Sequence, residues 1–135
     1  MTKVSARVLP VLTTLNTSFW TTGREGHLSI LRCQDCGAWL HPPAPICPDC
    51  LGRNLAPQPV SGSGVIESLT INHQAWLPGD AVPYTIAIVS LDDVPDVRLT
   101  TNIVGADADT VRIGTRVVVL FERHDDVWIP LFTPE

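Results

Sequence analysis

Hydrophobic and polar residues alternate most clearly in the second half of the chain. Five runs there are rich in Val, Ile, Thr and Leu and are separated by turn residues: GVIESLTINHQ, PYTIAIVSL, VRLTTNIVG, VRIGTRVVVLFER and VWIPLF. None keeps the spacing of an amphipathic helix, so each predicts a strand. Five short strands favour a small closed barrel without free edges, and the OB fold is the common five-stranded solution. Gly64 and Gly114 are expected where strands bend sharply.

The first half of the chain has a less regular pattern. Asn16, Thr17 or Ser18 can cap a short helix that ends near Gly23 or Gly26. The segments HLSILR and AWLH are typical of two short strands, whereas APQPVSGSG, residues 56–64, predicts a linker or an entry turn. We therefore expect an N-terminal helical segment (1–25), a small central module (26–55) and a barrel domain (56–135).

All four cysteines lie in the central module, as two Cys-x-x-Cys pairs. Four thiolates supplied by two tight turns suit tetrahedral zinc with every position filled, which is a structural site. The module is short and rich in proline, so a bound metal would replace the core that it cannot bury. The sequence predicts a rubredoxin-like zinc ribbon with Cys33, Cys36, Cys47 and Cys50 as ligands. His41 lies near them and is expected at the surface or an interface.

Other uses of the cysteines remain open. An iron centre of rubredoxin type takes the same ligands, and the spacing alone does not exclude it. Two disulfides would require an oxidising compartment, which nothing in the sequence indicates. A thioredoxin-like pair would start a helix, whereas four prolines crowd this region. Zinc is the favoured interpretation.

Composition and charge exclude several classes of function. Hydrophobic residues make up 44% of the 135 residues, enough for a packed core, and the net charge of -5 disfavours generic binding to nucleic-acid phosphates. The first residues lack the apolar run of a signal peptide, and no stretch is long enough to span a membrane. We expect a cytoplasmic protein. No Ser-His-Asp arrangement or phosphate-binding loop is recognisable, so catalysis is expected to belong to a partner.

A family resemblance is carried by the order NTSFW, GHL, LRCQDCG, HPP, CPDC, VSGSGVIES, VPYTIAIVSLDD, TNIVG and IGTRVVVLFE. Over nearly its whole length the chain resembles the family catalogued as domain of unknown function number thirty-five. The resemblance implies a mainly β protein with a short N-terminal helix, a zinc ribbon and a C-terminal OB barrel. It also implies a non-catalytic subunit that helps a thiolase-superfamily enzyme, such as an acetyltransferase, a thiolase or a steroid side-chain aldolase, to bind acyl-CoA.

Candidate ligand residues follow from that implication, and candidate interface residues follow from apolar surface that a small ribbon and a small barrel cannot bury. CoA phosphates would need guanidinium contacts, for which the candidates are Arg53, Arg98, Arg112 and Arg116. The partner interface is expected at Phe19, Trp20 and the ribbon face near Trp39. Two other functions remain as alternatives: a nucleic-acid-binding module, which the acidic balance disfavours, and an electron carrier with a rubredoxin-type iron centre.

Overall fold

The N-terminal part of the chain lies across the barrel as an arm followed by a short helix. The computed structural model describes residues 7–94 and 96–135, so the first six residues of the predicted helical segment lie outside it. The arm (residues 7–16) leads into helix α1, Thr17–Thr21, and then a 3-10 helix, Thr22–Glu25. Gly26 ends this unit at φ 87°, as expected of a glycine stop. Asn16 precedes α1, but its side chain bonds the main chain of Thr13 and Val11 and does not cap the helix.

The ribbon is built on a three-stranded antiparallel sheet in the order β2-β1-β3. Strands β1, Leu28–Cys33, and β2, Trp39–Leu40, match the two predicted strands. Strand β3, Leu55–Val60, was not predicted, because its prolines indicated a linker. It pairs with β1 from Cys33 opposite Leu55 to Leu28 opposite Val60. An edge strand tolerates Pro57 and Pro59 because their positions face away from β1 and need no N–H donor.

The remaining strands close into a five-stranded barrel in the order β4-β5-β6-β8-β7. They are β4, Ser63–Asn72; β5, Tyr84–Leu91; β6, Arg98–Ile103; β7, Arg116–His124; and β8, Val127–Pro134. A short 3-10 helix, Ala108–Thr110, lies between β6 and β7. All five predicted strand regions are confirmed, and the described residues are mostly β with one short α-helix.

Two glycines behave differently from one another. A Cβ on Gly64 would collide with the main-chain oxygen of Ser90 on β5, so glycine permits the close pairing there. Gly114 was expected where a strand bends sharply, but it lies in the turn before β7, at φ 93°. The fourth run therefore begins as a turn, and its strand starts only at Arg116.

The hydrophobic core runs through both sheets. Leu28 and Ile30 of β1 and Val60 of β3 belong to the same buried cluster as Val89 and Phe132 of the barrel. A smaller cluster surrounds Cys33, Leu40 and Cys47 in the ribbon. The end of the ribbon sheet at Leu28 and Val60 is therefore packed on the barrel. The opposite end, at Cys33, holds the cysteines.

Among residues 7–94 and 96–135, no helix has the length and apolar character required to cross a membrane.

Candidate functional site

The four cysteines converge at one end of the ribbon. Their Sγ atoms all lie within 4.8 Å of one another, and two of the pairs, Cys33 with Cys50 and Cys36 with Cys47, are 3.6 Å apart. A tetrahedron with zinc–sulfur bonds of about 2.3 Å places its sulfurs about 3.8 Å apart. The donor set and its spacing therefore fit a zinc ion with four thiolate ligands. His41 is not part of the cluster.

Two equivalent turns present these sulfurs. In the first, the N–H of Gly37 donates to the oxygen of Cys33 at 3.0 Å, and in the second the N–H of Leu51 donates to the oxygen of Cys47 at 2.9 Å. Gly37 has φ 81° and Leu51 has φ 64°, so both turns require a left-handed residue at the same position. The nearest glycine in the sequence, Gly52, lies one residue beyond this position, which Leu51 occupies instead. A leucine in the left-handed region gives no signal in the sequence.

The electrostatics of the cluster favour a bound cation. The main-chain N–H of Cys36 is the largest influence on the Cys33 thiol and helps to lower its pKa to about 7. The N–H of Ala38 favours the Cys36 thiolate, but burial and the neighbouring sulfurs together raise the pKa of Cys36 to about 12. Four thiolates at this spacing repel one another unless a dication lies between them, so metal binding and thiol deprotonation are coupled.

A cavity of about 750 Å³ opens where the arm, helix α1, the ribbon and the barrel meet. Its lining is largely apolar and includes Phe19 and Trp20 of α1 and Leu99 of β6. Arg7 and Arg98 supply its positive charges. This size and this mixture of apolar walls with a few polar groups are typical of a small-molecule site.

His41 lines the same cavity next to the ribbon. Its ring lies 4.7 Å from that of Phe19, and its buried Nδ1 has no hydrogen-bond partner among the described residues. Burial lowers the pKa of His41 to about 4, so the imidazole is neutral near pH 7.

The four candidate arginines have different surroundings. Only Arg98 lines the cavity, and its Nε donates to Glu67 at 2.9 Å. Arg116 forms a two-point contact with the carboxylate of Asp92. Arg112 donates to the main-chain oxygen of Asp109 at 2.6 Å, and Arg53 is exposed beside the ribbon. The role of all four in binding CoA stays a prediction.

Arg7 is a cavity residue that the sequence analysis missed. Its Nε donates to Glu122 at 2.9 Å, and its Nη1 donates to Asn102 at 3.3 Å. These contacts fasten the arm to strands β6 and β7, which are remote in sequence. Because no local pattern links Arg7 to its partners, the sequence offered no signal for this position.

The three candidate interface residues are half-buried and contact the chain itself. Phe19 and Trp20 pack edge to face at 4.8 Å, and the guanidinium of Arg32 lies 4.5 Å from the ring of Trp39. Each keeps some exposed surface, so the interface proposed there remains a prediction.

Comparison with known proteins identifies both parts of this structure. The model of the ChsH2 rubredoxin-like zinc ribbon domain matches residues 20–56, and that of the ChsH2 C-terminal OB-fold domain matches residues 57–122. A DUF35 domain-containing scaffold protein of Methanothermobacter thermautotrophicus is 35% identical over 94 residues, which cover 68% of this chain and 69% of that protein. The chain belongs to the DUF35 family. The predicted zinc ribbon and OB fold are thereby confirmed.

Two further curated relatives of this DUF35 chain are subunits of enzymes. The probable enoyl-CoA hydratase alpha subunit of Thermomonospora curvata is 31% identical over 129 residues, which cover 95% of this chain and 40% of that subunit. The 3-oxo-4,17-pregnadiene-20-carboxyl-CoA hydratase alpha subunit of Mycobacterium tuberculosis is 34% identical over 121 residues, which cover 89% of this chain and 38% of that subunit. The chain therefore spans about two fifths of these hydratase subunits.

Solved structures give the same assignment. A chain of the Ltp2-ChsH2(DUF35) aldolase matches with a TM-score of 0.84 and 30% identity, covering 93% of this chain and 98% of that one. A DUF35 protein of unknown function from Sulfolobus solfataricus matches with a TM-score of 0.65 and 16% identity, covering 90% of this chain and 86% of that one, which shows the shared fold alone.

Proposed function

We propose that this chain is a non-catalytic, zinc-binding subunit that associates in the cytoplasm with a thiolase-fold enzyme and helps to bind its acyl-CoA substrate. The partner would be an acyltransferase, a thiolase or a steroid side-chain aldolase. The observation that carries this proposal is the likeness to the DUF35 chain of the Ltp2-ChsH2 aldolase, which extends over 98% of that chain. Two hydratase relatives that are themselves subunits and are named for CoA thioesters support it.

The cavity of about 750 Å³ supports the ligand part of the proposal. Its apolar walls suit a pantetheine arm or an acyl chain, since both are long and mostly uncharged. Arg98 and Arg7 lie at the same cavity and could face a phosphate, because guanidinium groups bind phosphate oxygens through two parallel hydrogen bonds. Arg7 would have to share its charge with Glu122.

The hydrogen bonds of the described residues favour a non-catalytic role. In ranges 7–94 and 96–135 no Ser, Thr or Cys side chain is hydrogen-bonded to a histidine, which is the arrangement that activates a nucleophile. Among the same residues, the one histidine side chain with a side-chain hydrogen-bond partner is His124, which lies 2.7 Å from Glu122. The reaction itself would then depend on residues of the partner.

Zinc would be held by Cys33, Cys36, Cys47 and Cys50 and would supply folding energy to the ribbon. We expect one zinc per chain by elemental analysis, and Cys47→Ser should lose the metal and the ordered ribbon. The control is Asp49→Asn, which changes an exposed neighbour outside the cluster and should keep the metal. Stoichiometric iron in natively expressed protein would contradict the zinc assignment and favour the electron carrier.

The partner is identified by purifying the tagged chain from its native source and sequencing the protein bound to it. A thiolase-superfamily protein at constant stoichiometry is the expected result. An isolated chain that itself catalyses a thiolase-type or aldol reaction at an enzymatic rate would overturn the non-catalytic role.

The ligand is tested by titrating CoA and an acyl-CoA into the isolated chain and into the reconstituted complex. Thr100→Trp narrows the cavity from β6 and should weaken binding about tenfold, whereas Thr70→Trp, on the exposed face of β4 and outside the cavity, should not. Arg98→Gln should weaken binding more than Arg53→Gln, because only Arg98 lines the cavity. Negligible binding both to the chain and to the complex would leave a scaffolding role alone.

A further inference from the structure

The loop between β4 and β5, residues 73–83, holds a tryptophan in solvent. Trp76 is 71% exposed, and Leu77 and Val82 of the same loop are each 39% exposed. The indole N–H of Trp76 donates to Asn72 at 3.0 Å, and the N–H of Leu77 donates to the carboxylate of Asp80 at 3.1 Å. These bonds fix the loop with its largest apolar side chain pointing outward. Tryptophan side chains are highly buried on average, so an exposed Trp76 indicates a surface that another molecule covers.

A second cavity, of about 390 Å³, lies between this loop and the barrel. Trp76, Leu77 and Tyr84 form one wall of it, and Val8 of the arm, which is 78% exposed, forms another. Val8 also lines the larger cavity, so one apolar surface continues from the arm to the loop. Other strongly exposed apolar residues, such as Leu51 and Ile113, line neither cavity.

Negative charge borders this apolar surface. Asp80 lies at the second cavity, and Asp107 lines a neighbouring depression next to Pro83 of the same loop. Neither carboxylate has an ion pair within 4 Å among the described residues. Arg7 lines the second cavity too, but it is paired with Glu122. The net charge at this edge is therefore negative.

We infer that Val8, Trp76, Leu77 and Val82, bordered by Asp80 and Asp107, form a docking surface, here called the Trp76 surface, for a partner protein. The partner's matching face is apolar at its centre and carries Lys or Arg at its rim. An exposed tryptophan next to a cavity has the properties of an interface hot spot, and unpaired carboxylates at a rim raise the association rate with a basic partner. This inference rests on the proposed function, because it assigns the face that the partner enzyme covers, in addition to the predicted contacts at Phe19, Trp20 and Trp39.

The test measures the affinity of the purified full chain for the partner protein that co-purifies with it. Trp76→Ser should weaken binding tenfold or more, and Asp107→Lys, which keeps the bond between Leu77 and Asp80, should weaken it at least fivefold, mainly through a slower association rate at low salt. Ile113→Ser is the matched control for an exposed apolar residue, because Ile113 is 66% exposed and lies in the turn beside Ile66, near the start of β4. Asp96→Lys is the matched control for charge, on the loop at the far end of β5. Both controls should stay within about twofold of the wild type.

The outcomes distinguish a failure of the docking surface from a failure of the proposed function. Wild-type affinity in Trp76→Ser and Asp107→Lys would overturn the docking surface while the subunit proposal stands. A wild-type chain that binds no thiolase-superfamily protein would remove the proposed function and the docking surface with it. Unchanged melting temperatures of the variants would confirm that any loss arises at the surface, since Trp76 is mostly in solvent.

Discussion

At the scale of single residues, the ribbon differs from its sequence pattern at Leu51. This residue occupies the same place in the second cysteine turn as Gly37 in the first, at φ 64° against 81°. Left-handed backbone costs a non-glycine residue about 1–2 kcal/mol, because its Cβ crowds the neighbouring carbonyl oxygen. The side chain of Leu51 is 75% exposed, so it recovers little of this cost by burial.

Leu51→Gly and Gly37→Leu should therefore change the free energy of unfolding in opposite directions. We expect Leu51→Gly to raise the free energy of unfolding by up to about 1 kcal/mol, since relief of strain exceeds the added entropy of the unfolded chain. Gly37→Leu should lower it by about 1 kcal/mol or more. Denaturant unfolding of the zinc-loaded proteins checks both values. A destabilised Leu51→Gly would show that the leucine makes a contact that outweighs its strain.

His41 makes the stability of the fold depend on pH. Its pKa is about 4 in the folded chain and about 6.5 when exposed, so the unfolded state binds the proton first as pH falls. The stability contributed by neutral His41 is complete above about pH 6.5 and is lost as pH falls toward 4. The loss amounts to about 3 kcal/mol at most.

The test compares the wild type with His41→Phe, which fills the same space without a titrating group. The difference in unfolding free energy between the two proteins should shift by up to about 3 kcal/mol in favour of the variant between pH 7 and pH 4. Metal release in acid affects both proteins, so their difference isolates His41. His73→Gln, which removes an exposed imidazole, is the control. Parallel curves for the wild type and His41→Phe would show that His41 is solvated.

At the scale of elements, the sequence predicted those whose hydrophobic pattern is local. The five barrel strands follow from alternation alone, and the two cysteine turns follow from spacing. Strand β3 does not follow from the sequence, because Pro57 and Pro59 indicate a linker. Only its pairing with β1 in the structure shows that it is a strand. The two cavities that Arg7 lines could not be predicted for a similar reason. Arg7 meets Asn102 and Glu122 only through tertiary packing.

The prolines of β3 lead to a position-specific prediction. Donors to β1 can come only from Ala56, Gln58 and Val60, which alternate with the prolines. Gln58→Pro removes a ladder hydrogen bond and should destabilise the chain by about 1–3 kcal/mol. Pro57→Ala, one residue away on the outer side of the strand, should change stability by less than about 1 kcal/mol. Thermal unfolding measures the stability of both variants. Equal losses would show that Ala56, Gln58 and Val60 are not the residues that donate hydrogen bonds to β1.

At the scale of the whole molecule, ribbon and barrel share a core. Leu28, Ile30 and Val60 come from the ribbon sheet, and they lie in one buried cluster with residues of the barrel. The boundary predicted at residues 55 and 56 remains a prediction, but β3 crosses it while paired to β1. Disorder in the ribbon should therefore reach the barrel through these three side chains.

Removal of the metal tests this coupling. We expect chelation to lower the melting temperature of the whole chain, and to do so in a single transition seen equally by tryptophan fluorescence and by far-ultraviolet circular dichroism. A fragment of residues 56–135 should unfold at lower temperature than the intact chain. A barrel transition that stays at its original temperature after chelation would show that the two parts fold independently.

The outer edge of β3 also affects how the protein behaves in concentrated solution. An open sheet edge with free N–H groups can recruit a strand from another molecule, which is a common first step of aggregation. Pro57 and Pro59 have no N–H, and the N–H of Leu55 is already bonded to the oxygen of Arg53 at 3.0 Å. This edge offers acceptors without donors, so it cannot nucleate an intermolecular sheet. The prolines that give β3 the sequence pattern of a linker therefore protect this edge of the ribbon sheet from the addition of a foreign strand.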